Sequence, residues 1–339
     1  MDVRSFCAQS RVLVVAGKGG VGKTTMAAAL ARMAADAGLS VLVVELEGRT
    51  GMSSAFGHAT ALAYDATVLS AAGATEVEDG TDPPAGAVPP GPVHARMVTP
   101  DDALLEYLAD HGMKRISKRL VSSGVIDVVS SAIPGIRDIL VLGKIKQLER
   151  DRVADLIVVD APATGHAMTF LSSASGLLAA ARGGPVRAQA ADVVELLTDP
   201  ARCQVVLVTL PEEMPVNEAI EAAYRLEDEV GVALGPVIVN GIQEPPGGPG
   251  LAAAPAAARA GVVLDEARIA ALDDAWAFRH SRVALQAAQA SRLGAELPLA
   301  QLHAPFVFSA TIGPAELERL ARALAMGVAA IPQQQPVAP

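Results

Sequence analysis

A chain of 339 residues that is 51% hydrophobic can bury one large core or two smaller ones, and with only 3% aromatics that core is aliphatic. A net charge of −10 argues against broad, electrostatically driven nucleic-acid binding, so no nucleic-acid partner is expected. Two cysteines, Cys7 and Cys203, give neither a disulfide framework nor a Cys-x-x-Cys centre.

Residues 1–10 carry Asp2 and Arg4 around no apolar centre, unlike a secretory leader. No apolar run approaches the roughly 20 residues that span a bilayer. The expectation is a soluble cytoplasmic protein that meets a membrane only through a partner.

The first element is an apolar run, Val12 to Ala16, which reads as a buried parallel strand. Gly17 to Lys23 is a glycine-rich loop, and Thr24 and Thr25 open an alanine-rich helix, Met26 to Ala35. Strand, loop and helix fall where the pattern G-x-x-x-x-G-K-[ST], Gly17 to Thr24, requires them. Gly17, Gly19, Gly20 and Gly22 let the backbone around Val21 curl, so that its N–H groups converge on a phosphate. The helix adds its own N-terminal N–H groups and dipole. Lys23 supplies a cation for the β- and γ-phosphates and the Thr24 hydroxyl a ligand for Mg²⁺. Gly38 closes the helix, and Val41 to Glu45 is a second, parallel strand.

Glu45 to Gly57 follows as a polar segment with two acids, Glu45 and Glu47. Residues 73–92 are rich in Pro, Gly and acids and read as a mobile surface insertion. Val93 to Val98 is a short strand, and Thr99-Pro100-Asp101 signals a helix start. From Asp101 to Arg152 the apolar spacing is helical, broken near Pro134. Lys114, Arg115, Lys118 and Arg119 form a basic stripe within it, read as a solvated face or a contact for an acidic partner.

Asp155 to Asp160 is a buried strand ending in the acid expected near Mg²⁺. Helices occupy 166–198, with a Gly-Gly-Pro break at 183–185. Their Phe170, Leu171, Leu177, Leu178, Val193, Val194, Leu196 and Leu197 read as core or as the lining of an apolar surface. Cys203 to Leu210 is a strand, Val216 to Val230 a helix, and Pro236 to Asn240 a strand ending in an amide. Residues 243–261 read as loop, Leu264 to Leu293 as a long helix, Phe306 to Ser309 as the last strand, and 315–327 as the last helix. The Pro/Gln-rich tail, 330–339, reads as disordered.

Lys18, one residue after the first glycine, makes the loop GKGGVGKT, which resembles the deviant phosphate loop of the MinD, ParA, nitrogenase-iron-protein and ArsA group of ATPases. The resemblance implies that Lys18 crosses a dimer interface to the partner's ATP. DAPATGHAMTFL, Asp160 to Leu171, resembles the switch of the ArsA and tail-anchored-protein-targeting ATPases, whereas MinD and ParA proteins carry a different segment there. The same resemblance sets Glu47 on an Asp that positions the attacking water, Asp138 near an acidic position, and Asn240 on an Asn that reads adenine. It implies a single P-loop ATPase domain over 1–339: an α/β fold with a mainly parallel sheet flanked by helices. A helical subdomain would occupy about 101–150 and 165–200.

The implied protein is a dimeric, Mg²⁺-dependent ATPase, homodimeric or paired with a paralogue, coupled to anion transport or to a membrane-protein client. The alternative is a slowly hydrolysing, nucleotide-gated chaperone or scaffold, or one half of a heterodimer. Soft As(III) requires several thiolates, so coupling to an arsenite pump is not expected here.

Overall fold

The computed structural model describes residues 1–46, 51–73, 88–110, 135–245 and 252–332. Nine strands among them form one sheet, in the order β3-β4-β2-β5-β1-β6-β8-β9, with β7 beside β6. The strands are β1 (Val12–Gly17), β2 (Val41–Glu45), β3 (Thr67–Ser70), β4 (Val93–Met97) and β5 (Leu156–Ala163). They continue with β6 (Cys203–Thr209), β7 (Ala233–Leu234), β8 (Val237–Ile242) and β9 (Gln301–Pro305). Only β3 runs antiparallel, pairing with β4 at one edge.

The helices number α1 (Val3–Cys7), α2 (Lys23–Asp36), α3 (Gly51–Ala55), α4 (Pro100–Asp110), α5 (Ile136–Arg150) and α6 (Thr164–Ala180). After them come α7 (Gly184–Thr198), α8 (Glu213–Arg225) with a wider π-helical turn at Leu226–Val230, α9 (Ala253–Ala260), α10 (Glu266–Glu296) and α11 (Pro314–Ala330). No helix among the described residues is long and apolar enough to cross a membrane.

Helices cover both faces of the sheet, which is why its central strands read as continuous apolar runs rather than alternating ones. Along β1, Val12, Val14 and Ala16 point into one core, shared with α5, α6, α7 and α8. Leu13 and Val15 point into the other, built on α2 and α11. Alanines keep α2 close to the sheet: Ala27, Ala28, Ala29, Ala31 and Ala34 are fully buried. The two cysteines fall one on each face, Cys203 in the first core and Cys7 in the second.

Several expectations are revised. The last strand is Gln301–Pro305 and not Phe306–Ser309. Leu302 and Ala304 are the inward residues, and Leu302 lies where a Cβ on Gly327 of α11 would come within 3.0 Å of it. Phe308 is 72% exposed. Residues 253–260, expected as loop, form α9, capped by Gly261 in the left-handed region. The helix expected from Val216 begins three residues earlier, at Glu213. The edge strand β3 was not foreseen.

Of the expected insertion 73–92, residues 74–87 lie outside the described residues. Its two ends are joined, since Gly73 N donates to Pro90 O, and Gly91 N donates to Ala35 O at the end of α2. Of the expected tail, Ile331 packs on the second core and accepts a hydrogen bond from the N-terminal amine, while 333–339 lie outside the described residues.

The helices α4 to α7 pack on one another, and α5, α6 and α7 share the first core with one face of the sheet. Phe170, Leu171, Leu177, Val193, Leu196 and Leu197 are core residues there, with Leu178 and Val194 packed against them. A separate, mainly apolar cavity of about 510 Å³ lies between α4, α5 and α7, lined by Leu104, Tyr107, Ile139, Leu140 and Val186 among others. The basic stripe Lys114, Arg115, Lys118 and Arg119 falls outside the described residues.

Candidate functional site

β1 lies between β5 and β6, and the chain leaves it toward β2 on one side and returns to β6 on the other. Crevices of an open parallel sheet lie beyond the carboxyl ends of the strands at such a reversal. The loop Gly17–Gly22 occupies this place. A Cβ on Gly17 would sit 2.3 Å from the Val208 carbonyl of β6, so only glycine lets the loop leave the sheet this tightly. Gly22 caps α2 with φ of 92°, a left-handed conformation that an L side chain resists. A Cβ there would also meet Asn240 Nδ2 at 2.4 Å.

The N-terminus of α2 opens on a cavity of about 200 Å³ lined by Gly20, Gly22, Lys23, Thr24, Glu45, Asp160 and Ala161. Thr24 Oγ1 donates to Asp160 Oδ2 at 2.6 Å. Lys23 Nζ bridges back to the Lys18 carbonyl at 3.1 Å, spanning the loop from inside. A glycine-rich loop, a helix N-terminus and a lysine suit a polyphosphate. A hydroxyl beside a carboxylate, both hard oxygen donors, suits Mg²⁺. Among the described residues no cluster of three or more His, Cys, Asp or Glu side chains could hold a metal by itself. A cation at Thr24 and Asp160 would thus share its ligands with phosphate and water.

Asn240 stands on β8 across the loop, half-buried, and its Nδ2 donates to the Val21 carbonyl at 2.9 Å. The amide braces the phosphate loop from the side where the resemblance puts the base. Behind it, Gln286 of α10 is buried, accepts from Gln243 N at 2.9 Å and donates to Gly241 O at 3.1 Å, holding the end of β8. Arg282 on the same helix pairs with Glu212 at 2.7 Å, at the mouth of β6.

Lys18 forms an ion pair within its own chain: its Nζ lies 2.5 Å from Glu218 Oε1 on α8. Glu218 also borders a cavity shared with Gly165 and Met168 of α6, the helix that Thr164 begins. Strand β5 runs to Ala163, three residues past the expected end at Asp160, and α6 starts at Thr164, two residues before the expected 166. His166 is exposed. Asp138 of α5 is half-buried, and burial pushes its carboxyl above the usual range against the pull of Arg137 and His166.

The structure thus brings Gly20, Gly22, Lys23, Thr24 and Asp160 around one cavity, with Val21 and Asn240 at its flank. Glu47 lies outside the described residues. Glu45, the other acid of that segment, is in the cavity wall. Glu218 and Gln286 were not foreseen in these roles, because each meets the site only through contacts with residues far away in sequence.

The profile of the anion-transporting ATPase family, ArsA_ATPase, matches residues 10–180, half of the chain, and takes in the phosphate loop, Asp160 and the start of α6. The chain is 38% identical over 244 residues to the ATPase BagA of Mycobacterium tuberculosis, an alignment covering 68% of this chain and 64% of that protein. It is 27% identical over 255 residues to a putative arsenical pump-driving ATPase of Halobacterium salinarum, covering 68% of this chain and 35% of the relative. It is 26% identical over 162 residues to the ATPase get3 of Schizosaccharomyces japonicus, covering 47% and 43%. The alignments therefore span less than two thirds of these relatives' own lengths. With the fold, the loop and its acid in these places, the chain belongs to the ArsA family of anion-transporting ATPases.

Proposed function

We propose that the protein binds ATP with Mg²⁺, hydrolyses it to ADP and phosphate, and uses the cycle as a dimeric switch. The observation that carries this reading is the Thr24 hydroxyl, 2.6 Å from Asp160 at the open N-terminus of α2. Gly17, Gly19, Gly20, Val21, Gly22, Lys23, Thr24 and Thr25 form the phosphate cradle, and Thr24 and Asp160 hold the cation. Mg²⁺ there would neutralise charge building on the phosphate oxygens. Asn240 braces the loop and faces the base. Glu47 orients the attacking water, a task open to a carboxylate one methylene longer than the Asp it replaces. Lys18 exchanges Glu218 for the nucleotide of a second subunit, identical or paralogous.

The family's description as anion-transporting and one relative's name, arsenical pump-driving ATPase, support coupling to transport, and the resemblance of Asp160–Leu171 to the tail-anchored-protein-targeting ATPases supports a membrane-protein client. We assign this chain a cytoplasmic ATPase role coupled to a membrane transporter or membrane-protein client. Arsenite coupling is set aside, since Cys7 and Cys203 are buried on opposite faces of the sheet.

The test is ATP affinity and Mg²⁺-dependent turnover of the wild type, Lys23→Ala and Glu47→Gln. The expected result is turnover by the wild type, loss of ATP binding in Lys23→Ala, and ATP binding with turnover at least about 100-fold slower in Glu47→Gln. Equal, near-zero turnover in wild type and Glu47→Gln, with ATP bound by both, would instead mark a nucleotide-gated scaffold or one half of a heterodimer.

A further inference from the structure

The phosphate-loop motif accounts for Thr24 and the acid of strand β5 for Asp160, but neither accounts for a third oxygen-bearing side chain in the same cavity. Glu45 is the last residue of β2, is 1% exposed, and lines the cavity with Lys23, Thr24 and Asp160. Its register partner on β5 is Asp160. Paired residues of adjacent parallel strands project to the same side, so the two carboxylates stand next to each other at the strand ends. β2 is on the far side of β5 from β1. Glu45 therefore forms the wall opposite the phosphate loop, with the Thr24–Asp160 pair between them.

An aliphatic residue would fill a strand end in this core, and β2 otherwise consists of Val41, Leu42, Val43 and Val44. A carboxylate buried there is unfavourable unless it meets positive charge or hydrogen-bond donors. Lys23 shares the cavity, and a hydrated divalent ion would add both. Mg²⁺ gives up its water reluctantly and keeps several molecules when held by few protein ligands and a phosphate chain. Those waters need acceptors, and groups in that outer position typically alter metal affinity 10- to 100-fold.

We propose that Glu45 is a positioning residue for the divalent ion: its carboxylate accepts hydrogen bonds from water on the cation held by Thr24 and Asp160. This rests on the Mg²⁺-ATP reading above and adds to it a residue that the motif does not contain. The charge gives the proposal a signature with two opposite signs. With the cation present, Glu45 tightens the site. Without it, a carboxylate beside the phosphates repels bare ATP.

The experiment measures two affinities for the wild type and Glu45→Gln: that of a non-hydrolysable ATP analogue in EDTA, and that of Mg²⁺ titrated calorimetrically into the protein–analogue complex. Glu45→Gln is expected to bind the bare analogue as well as or better than the wild type, and Mg²⁺ about tenfold more weakly. General damage to the pocket would weaken both, and that outcome overturns the proposal, as does an unchanged Mg²⁺ affinity. Should Glu45→Gln fold poorly, Glu45→Asp carries the same test. Withdrawing the carboxylate by one methylene is expected to loosen Mg²⁺ several-fold, and an unchanged value again overturns the proposal. Failure of the wild type to take up the analogue at all would overturn the ATP reading itself and Glu45's role with it. Normal uptake with unaltered Mg²⁺ affinity would remove only the role of Glu45.

Discussion

At the scale of single residues, the site depends on close approaches that tolerate no extra atom. Gly22 combines a left-handed φ with Asn240 Nδ2 at 2.4 Å from where a Cβ would be. Gly22→Ala should therefore weaken ATP analogue binding by about tenfold or more and destabilise the fold by about 1–3 kcal/mol, measured by calorimetric titration and denaturant unfolding. Asn240→Ala removes one hydrogen bond to the loop and should have a smaller effect on stability, about 1 kcal/mol. Lys18 and Glu218 are each about one third exposed, so their ion pair is weak, roughly 0.2–1 kcal/mol. Glu218→Gln should accordingly free Lys18 at little cost to stability. If Lys18 serves a second subunit, nucleotide-dependent self-association should tighten up to about fivefold in sedimentation measurements. Unchanged association would place Lys18 outside the dimer contact.

At the scale of elements, α4 and α5 are tied together by a buried cation. Lys144 of α5 is buried and lies 2.5 Å from Glu106 of α4, which also accepts from the Tyr64 hydroxyl. Arg96 of β4 lies over the Tyr64 ring at 4.4 Å. Burial alone would raise the Glu106 carboxyl, but the hydrogen bonds from Lys144 and Tyr64 prevail and hold it below its usual value. The sign follows: the stabilisation is complete above the unfolded-state value and is lost as pH falls through the lower folded-state value. Glu106→Gln should strip Lys144 of its counter-charge and cost about 3 kcal/mol at neutral pH. The difference from the wild type should shrink in acid, as followed by urea unfolding across pH 3–7. Within the sheet, Leu302→Ala should cost about 2–5 kcal/mol, because Leu302 is fully buried in β9. Phe308→Ser should change stability by less than about 0.5 kcal/mol, because Phe308 lies outside that strand and mostly in solvent.

At the scale of the whole molecule, the sheet separates two cores, and each buries one cysteine. Burial pushes the Cys7 and Cys203 thiols up to about 12, so neither forms thiolate at neutral pH. Both should resist a thiol reagent in the native protein and react on unfolding in urea. Rapid labelling of native Cys203 would show that the core under α5 to α8 opens readily.

The chain's sequence by itself determined its class and the centre of its chemistry. Phosphate binding needs consecutive residues in one loop, so Gly17 to Thr25 is legible without a fold. The central strands are legible because burial on both faces makes Val12–Ala16 and Asp155–Asp160 nearly unbroken apolar runs. The helical run that follows β5 was likewise visible, although α6 starts at Thr164 and not at 166. Tertiary structure decided whatever depends on distant parts of the chain. Local β-propensity favours Phe306–Ser309 as the last strand, yet pairing with β8 and the close approach of α11 at Gly327 select Gln301–Pro305. The Lys18–Glu218 pair spans 200 residues and the Asn240–Val21 brace 219, separations over which no local pattern carries information. Glu45 and Asp160 look unrelated along the chain, and they share one wall because the parallel register of β2 and β5 places their strand ends side by side.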